Sequence, residues 1–270
     1  FMSAAYIGNI GGLVVISCDD PGPHSSQTEQ DSRFMARIAK VPVLDPAGPE
    51  EAREMIKLAF ELSEEFQVPV LVRPAIRVCH ARQNIKYGSF QSNTVKADFK
   101  RDPMRWAATP KFRFILHKAL NEKHLKISEK FSNLAPFNAH DLEKGQSRPF
   151  GIITGGVPFG VVSDLLEEYG RNDIPVLKLG APYPFPEKLS DEFMTACEKV
   201  LVIEETDTVI EYMLRDKHKT LGRMSGHVPM EGELVPEKVE LLINKALSDC
   251  NVQPLSDFDG QKEAGALVGE

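Results

Sequence analysis

Paired cysteines and long apolar runs are both missing from this sequence. The four cysteines lie far apart and form no C-x-x-C pair, so the ligand spacing of zinc sites and iron–sulfur clusters is absent and no metal site is predicted. Such scattered thiols favour a reducing compartment, and we expect a cytoplasmic protein. No apolar run reaches the ~18–20 residues of a membrane-spanning helix, so no membrane partner is expected. The cysteines are Cys18, Cys79, Cys197 and Cys250.

The charge balance is mildly acidic. The 270 residues carry a net charge of −7 with acids and bases interspersed, and 42% of the residues are hydrophobic. Proteins that bind nucleic acids usually have a basic face, so no nucleic-acid partner is expected. The hydrophobic content is that of a globular protein, and the length allows one large or two medium domains.

The first residues do not have the pattern of a signal peptide. Residues 1–6 are small and apolar and lack a basic segment. They are better explained as the later part of a helix. We therefore expect the chain to be a fragment of a longer protein.

Residues 1–88 are predicted to form an α/β unit with a parallel sheet. Apolar runs at 13–17 and 68–72 are typical of strands buried on both faces. Two helices are predicted between them. One covers 26–39, where Ser26 and Glu29 have the spacing of a capping box, and the other covers 49–66 with a single apolar stripe. This order of elements predicts right-handed parallel crossovers.

The rest of the chain divides into three segments. Residues 89–147 are more polar and are predicted to be a linker with one long helix, at about 111–131. Residues 148–247 repeat the α/β pattern, and residues 248–270 are expected to be a tail or linker. The predicted fold class is therefore α/β, with two parallel-sheet α/β domains joined by a partly helical linker. In the second domain the predicted strands are 150–154, 175–179 and 199–203, and the predicted helices are 157–169, 187–197, 207–216 and 236–248.

A polar stretch at 19–33, which we name the elbow, contains the richest chemistry of the chain. Its sequence is DDPGPHSSQTEQDSR, and it begins where the first predicted strand ends. Ligands bind beyond the carboxyl ends of parallel strands, and the N–H groups of a helix start can hold an anion. A proline-stiffened turn with Ser26 as N-cap explains the same residues without a ligand. The residues alone leave both interpretations open.

The elbow also resembles a block of a known family. It matches the pattern DDPG-x-HSSQ-x-EQDSR of the α-subunits of indolepyruvate ferredoxin oxidoreductases. The resemblance covers about residues 1–248. Three further matching blocks follow in the same order: PVLDP at 42–46, PVLVR at 69–73 with Arg77 and His80, and VIEE at 202–205 followed by GEL at 232–234.

The resemblance implies an enzyme that depends on thiamine diphosphate. Such enzymes use thiamine diphosphate with Mg²⁺, coenzyme A and 4Fe-4S clusters to convert indolepyruvate and other aryl pyruvates to aryl-acetyl-CoA and CO₂. It implies that residues 1–88 are the second half of a pyrimidine-binding domain and 148–247 a transketolase-C-terminal-like domain. The implied partners are a β-subunit, a second α-subunit, ferredoxin, coenzyme A and the aryl pyruvate.

The same resemblance implies that the fragment is inactive alone. The glutamate that activates the aminopyrimidine ring is expected upstream of the segment that matches Phe1. The diphosphate and cluster domains are expected downstream of residue 248. The catalytic residues are therefore not identified, and none of these cofactors is expected to bind the fragment fully.

Six elbow residues are candidates for the wall of the cofactor or substrate cleft, or for a subunit contact beside it. A guanidinium such as that of Arg33 suits two-point recognition of a substrate carboxylate, but an ion pair with Asp31 is an equal alternative, since Arg33 is predicted about two turns into a helix. An imidazole suits proton transfer, although no partner for His24 can be identified. The candidates are His24, Ser25, Ser26, Gln27, Gln30 and Arg33.

Three other polar motifs have structural explanations. The four basic residues within 73–82 follow a strand and either hold an anionic group or form a salt-bridge network. The glycine-rich turn at 154–160 lacks the P-loop lysine and the G-x-G-x-x-G spacing, so tight backbone packing is the better explanation. Glu204 and Glu205 end a strand, where a polar surface or a cap is favoured.

Two alternative functions remain open. A non-catalytic α/β interaction module or scaffold subunit would have the same fold without turnover. Within the enzyme class, a pyruvate or 2-oxoglutarate ferredoxin oxidoreductase is the nearest rival, because these residues do not define the substrate pocket.

Overall fold

Two β-sheets with flanking helices form the structure and confirm the predicted α/β class. The computed structural model describes residues 1–24, 26–86, 88, 98–107, 109–143 and 145–256. No helix among these residues is long and apolar enough to cross a membrane.

The first unit contains a three-stranded parallel sheet. Its elements are α1 (Met2–Ile7), β1 (Val14–Ile16), α2 (Arg33–Ala39), β2 (Val43–Leu44), α3 (Pro49–Phe66), β3 (Val70–Val72) and α4 (Ile76–His80). The strand order is β1-β3-β2, with Val14 opposite Val70 and Val43 opposite Leu71. The predicted helix α3 is confirmed, and its buried stripe of Met55, Ala59 and Leu62 packs into the core of this sheet because the apolar spacing places them on one face. Strand β2 is an element that the sequence pattern does not predict.

The segment between the units contributes to both of them. It contains α5 (Pro103–Trp106), α6 (Pro110–Phe131) and β4 (Asn138–His140). The long helix α6 confirms the prediction at 111–131, and its buried Leu120, Ile127 and Phe131 belong to the core of the first unit. Strand β4 pairs antiparallel with a strand of the second sheet, so the second sheet is not purely parallel.

The second unit contains a five-stranded sheet. Its remaining elements are β5 (Arg148–Thr154), α7 (Val157–Glu168), β6 (Val176–Leu179), α8 (Glu187–Ala196), β7 (Cys197–Ile203), α9 (Val209–Met213), β8 (Thr220–Leu221) and α10 (Pro236–Asp249). The strand order is β4-β6-β5-β7-β8, and every pair except β4–β6 is parallel. The three predicted strands and four predicted helices of this region are confirmed, with ends shifted by a few residues.

The elbow differs from its prediction. The helix begins at Arg33 and not at residue 26, so Arg33 lies at its start and not two turns inside. Carboxylates of the elbow itself replace the predicted capping box. Asp20 accepts the backbone N–H of Ser26 at 3.1 Å, and Asp19 accepts that of Ser32 at 2.7 Å. Side chains that bind backbone N–H groups in this way compete with helix formation.

Strand β1 is more exposed than its sequence predicts. In the described part of the chain it pairs only with β3, so its other edge is free. The Ile16 residue is 54% exposed and Leu13 just before the strand is 40% exposed. The prediction that β1 is buried on both faces is therefore wrong for this structure.

Candidate functional site

The carboxyl ends of the parallel strands in the two sheets face each other across a buried set of charges. Asp19, Asp45 and Arg73 follow β1, β2 and β3, and Glu204 follows β7. Five acids and three arginines take part, all of them nearly inaccessible to solvent. We name this set the charge cluster: Asp19, Asp31, Arg33, Asp45, Arg73, Glu204, Glu205 and Arg223.

Arg33 connects the elbow to the second unit. Its side chain is 1% exposed. It donates hydrogen bonds to Asp31 from Nε at 2.9 Å and from Nη2 at 2.5 Å, to Glu204 from Nη1 at 3.1 Å, and to the carbonyl oxygen of Asp207 from Nη2 at 3.0 Å. Of the two interpretations of Arg33, the structure thus contains the ion pair with Asp31.

Arg73 makes the second connection between the units. Its Nε donates to Asp19 at 2.8 Å within the first unit. Its Nη1 donates to the carbonyl oxygen of Glu205 at 3.1 Å, and its Nη2 donates to the Thr206 hydroxyl at 3.3 Å. The salt-bridge alternative for this basic residue is therefore the one that the structure contains.

Asp45 lies between the two arginines and against the glycine-rich turn of the second unit. Its carboxylate oxygens are 3.7 Å from Nη1 of Arg33 and 3.5 Å from Nη1 of Arg73. Gly156 has φ +60°, and a Cβ atom there would lie 2.9 Å from the Asp45 carboxylate. Only glycine allows this approach without strain. The packing explanation of the 154–160 turn is thus confirmed.

Glu204 and Glu205 anchor the second unit. The Glu204 carboxylate accepts the backbone N–H groups of Ile210 and Glu211 at 2.9 and 2.8 Å, so its cap role is confirmed. Glu205 accepts the N–H of Leu234 at 2.5 Å. Both residues are buried, so the alternative of a polar surface is wrong.

Burial and charge act in opposite directions on the carboxyl groups of the cluster. Burial raises the pKa of Glu204 to about 7, although Arg33 opposes this shift. Burial also raises the pKa of Asp45 against the opposing charges of Arg73 and Arg33. Burial alone would raise the pKa of Asp31, but the charge of Arg33 and its hydrogen bonds hold that pKa well below its usual range. Burial therefore favours the protonated form of Glu204 and Asp45, whereas the bonds to Arg33 favour the ionised form of Asp31.

The second, more exposed part of the site is a clasp formed by His24, Arg77 and Glu233. The His24 side chain is 45% exposed, and its Nε2 lies 2.9 Å from Oε2 of Glu233. Arg77 donates to both oxygens of the same carboxylate, at 2.7 Å for the bond from Nη2. In the same loop, the N–H of Gly232 donates to Glu29 of the elbow at 2.6 Å. His24 thus has a partner that its sequence context does not identify.

Two of the remaining candidates line a small pocket. Ser26 and Gln30 border a cavity of about 220 Å³ at the carboxyl ends of β1 and β3. Gln27 is exposed, and Ser25 lies outside the described residues. The other residues of the lining are Cys18, Asp19, Asp20, Ile76, Cys79 and His80. A role of these candidates in a cofactor cleft stays a prediction.

A larger groove lies elsewhere in the described part of the chain. It has a volume of about 1090 Å³ and is bordered by α6, α8 and the segment after β4. Its lining includes Ser147 and Ala196, which immediately precede β5 and β7. It therefore lies at the amino ends of the strands, opposite the edge where open parallel sheets bind ligands.

Sequence patterns indicate the elbow but not its partners. Asp45 and Arg73 belong to the matching blocks at 42–46 and 69–73, and each directly follows a strand. Charged residues at several strand ends are the available signal for a charge cluster. Within the described residues, no group of three or more His, Cys, Asp and Glu side chains is arranged to hold a metal ion.

Similarity to known proteins extends along most of the chain. The chain is 39% identical over 251 residues to indolepyruvate oxidoreductase subunit IorA of Methanothermobacter marburgensis, which covers 92% of the chain and 40% of that subunit. It is 38% identical over 254 residues to IorA of Thermococcus kodakarensis, with 92% and 38% covered. The chain thus spans about two fifths of the length of these relatives.

A solved structure supports the fold. The 2-oxoglutarate:ferredoxin oxidoreductase of Magnetococcus marinus, with 2-oxoglutarate, coenzyme A and succinyl-CoA bound, matches with a TM-score of 0.56 and 15% identity over 89% of this chain and 51% of that chain. No protein-family model matches the chain. Over nine tenths of its length the chain is thus similar to part of the IorA subunit of indolepyruvate oxidoreductases, the family that the elbow and the three later blocks resemble.

Proposed function

We propose that the chain is a segment of a thiamine-diphosphate-dependent 2-oxoacid:ferredoxin oxidoreductase. The complete enzyme would oxidatively decarboxylate indolepyruvate and other aryl pyruvates to aryl-acetyl-CoA, with reduction of ferredoxin, in the cytoplasm. The observation that carries this proposal is the 39% identity with IorA over 251 residues. The partners would be a β-subunit, a second α-subunit, ferredoxin and coenzyme A.

Within this enzyme, residues 1–88 would be the second half of the pyrimidine-binding domain, and 148–247 the transketolase-C-terminal-like domain. The described residues offer no group of three or more His, Cys, Asp and Glu side chains arranged around a metal ion, as a 4Fe-4S cluster held by cysteines would require. The arginines of the cluster that face the elbow are already bonded to acids. We propose that Mg²⁺-diphosphate and the 4Fe-4S clusters are held by parts of the complete enzyme that correspond to the unmatched three fifths of IorA.

The role proposed for this segment is structural support of the cleft. The charge cluster holds the carboxyl ends of the two sheets together through Arg33 and Arg73. The buried hydrogen bonds of the cluster hold the inner side of the elbow in place. The exposed residues His24, Gln27 and Gln30 lie on its outer side. These side chains would form a wall of the active site, where a rigid support keeps them in one position.

The direct test is an activity measurement on the complete subunits. The DNA on both sides of the codons for Phe1 and Glu270 should encode the rest of an α-subunit, and that subunit should be purified with its β-subunit under anaerobic conditions. We expect ferredoxin reduction with indolepyruvate and coenzyme A to exceed that with pyruvate or 2-oxoglutarate. A preference for either of the latter would reassign the substrate, and no turnover with any 2-oxoacid would favour the scaffold alternative.

Calorimetry on the 270-residue chain tests the assignment of the cofactor. We expect no measurable heat from thiamine diphosphate with Mg²⁺, since the described residues contain no group of three or more His, Cys, Asp and Glu side chains that could hold a metal ion. Binding at micromolar concentration would show that this segment contains the cofactor site.

A further inference from the structure

Cys18 and Cys79 meet at the small pocket beside the elbow. The backbone brings them together, because Asp19 forms a parallel bridge with Ala75 and its carbonyl oxygen accepts the N–H of Ile76 at 2.9 Å. Cys79 lies one helical turn further along α4, where its N–H donates to the carbonyl oxygen of Ala75 at 3.2 Å. Both cysteines line the cavity of about 220 Å³, and Cys18 is close enough to influence the ionisation of the Cys79 thiol.

The other two cysteines do not have these properties. Cys197 is buried in the core of the second unit, and Cys250 is half-buried beside α10. Cys18 and Cys79 are both exposed. A small oxidant in solution can therefore reach this pair through the pocket, and neighbouring exposed thiols are the usual arrangement of redox-active cysteines.

We propose that Cys18 and Cys79 form a redox-active dithiol, which a peroxide oxidises to an intramolecular disulfide. In the first step the Cys18 sulfur attacks a peroxide oxygen, the O–O bond breaks, and the leaving hydroxide takes up the thiol proton to give water. In the second step the Cys79 sulfur attacks the Cys18 sulfenic acid. The S–S bond forms, the S–O bond breaks, and the Cys79 proton leaves with the hydroxyl group as a second water. The two sulfurs together lose two electrons to the peroxide.

The surroundings of Cys79 support this order of steps. Partial burial of the sulfur, together with the neighbouring Cys18, raises the pKa of the Cys79 thiol to about 11. It therefore remains protonated at neutral pH and reacts second, since the thiolate is the attacking species. The resulting bond would tie α4 to the end of β1, directly beside Asp19 of the charge cluster. Oxidation would thus fix one wall of the pocket that Ser26 and Gln30 also line.

Peptide mapping of the 270-residue chain after treatment with hydrogen peroxide tests the proposal. We expect one linked peptide pair that joins Cys18 to Cys79, loss of two of the four free thiols, and reversal by dithiothreitol. The exchange Cys79→Ser should leave a Cys18 sulfenic acid that dimedone traps. The exchange Cys18→Ser should slow peroxide consumption at least about tenfold. Cys250→Ser, the matched control, should retain the linked pair.

Three results would overturn the proposal. One is the absence of the linked pair in the folded wild-type chain, a measurement that does not depend on any variant. Another is formation of the same pair with equal yield in denaturing urea, because proximity in the fold would then not be responsible. The third is a Cys18→Ser variant that consumes peroxide as fast as the wild type.

Discussion

Arg33 and Glu204 are 171 residues apart in the sequence, yet their side chains form a buried hydrogen bond of 3.1 Å. The guanidinium also pairs with Asp31 and lies near Asp45, so one cation interacts with three acids. We expect Arg33→Met to lower the free energy of unfolding by about 3–5 kcal/mol, because it leaves buried carboxylates without a partner. Urea unfolding followed by circular dichroism measures this change.

A surface arginine provides the control for this experiment. Arg215 has a side chain that is 65% exposed and pairs with Glu187 and Asp191. Arg215→Met should cost less than about 1 kcal/mol, since exposed ion pairs contribute little. Equal losses in the two variants would contradict the claim that the charge cluster holds the units together.

The pH dependence of stability should reveal Glu204. Its pKa rises from an ordinary value of 4.5 to about 7 in the fold, so the folded state binds more protons between these pH values. Stability from this group is therefore present below pH 4.5 and is lost as the pH rises towards 7. The total loss is about 3 kcal/mol, because a pKa difference of one between the folded and unfolded states corresponds to about 1.4 kcal/mol.

Glu204→Gln isolates this contribution. The amide cannot ionise, so the decline of the unfolding free energy between pH 5 and pH 7 should be smaller in the variant than in the wild type. Asp31 does not interfere. Its pKa is lowered in the fold, so the stability that it contributes is lost only as the pH falls below the ordinary value of 3.8. Parallel urea titrations at several pH values provide the measurement, and identical slopes for both proteins would refute the assignment.

Long periodic elements of this fold are predictable from sequence, whereas contacts between distant segments are not. The stripe of α3 buries the one face that its repeat sets, and the continuous apolar run that ends β7 is buried throughout, so both patterns specify their own structure. Strands of two or three residues, such as β2 and β4, are too short to show a repeat. They exist because neighbouring strands offer hydrogen bonds at that position.

The elbow shows why the candidate site is only partly predictable. Its polar content and its position after β1 identify the region correctly. The predicted start of its helix is wrong because Asp20 binds the backbone N–H of Ser26, which the capping box would use, and Asp19 binds that of Ser32 just before the observed helix. The burial of Arg33 depends on Glu204 in another unit, and no local pattern can predict such a partner.

Gly156 offers a steric test of the contact between the units. It has φ +60°, and an added Cβ atom would lie 2.9 Å from the Asp45 carboxylate, so Gly156→Ala should destabilise the fold by about 2–4 kcal/mol. Gly160→Ala is the matched control, since Gly160 lies inside α7 with nothing within 4 Å. That exchange should stabilise by about 0.5–1 kcal/mol. Thermal unfolding of both variants measures these changes in stability. A Gly156→Ala variant that is more stable than the wild type would contradict the observed contact.

The clasp should be a local and not a global source of stability. Glu233, whose side chain is 11% exposed, holds the exposed side chains of His24 and Arg77. We expect Glu233→Ala to accelerate amide hydrogen exchange in residues 226–234 while the free energy of unfolding changes by less than about 1 kcal/mol. The neighbouring exposed Glu231, changed to alanine, should leave exchange unaltered. Unchanged exchange in the Glu233 variant would show that other contacts hold the loop.

The free edge of β1 should make the isolated chain self-associate. Unpaired backbone groups next to exposed Ile16 and Leu13 are a template for pairing with another strand. Multi-angle light scattering should detect association that increases with concentration, and Ile16→Lys should reduce it because a charge at the edge opposes pairing. Met230→Lys is the control, since Met230 is equally exposed, at 55% against 54%, but lies in a loop. If both variants reduced association alike, net charge and not the edge of β1 would be the cause.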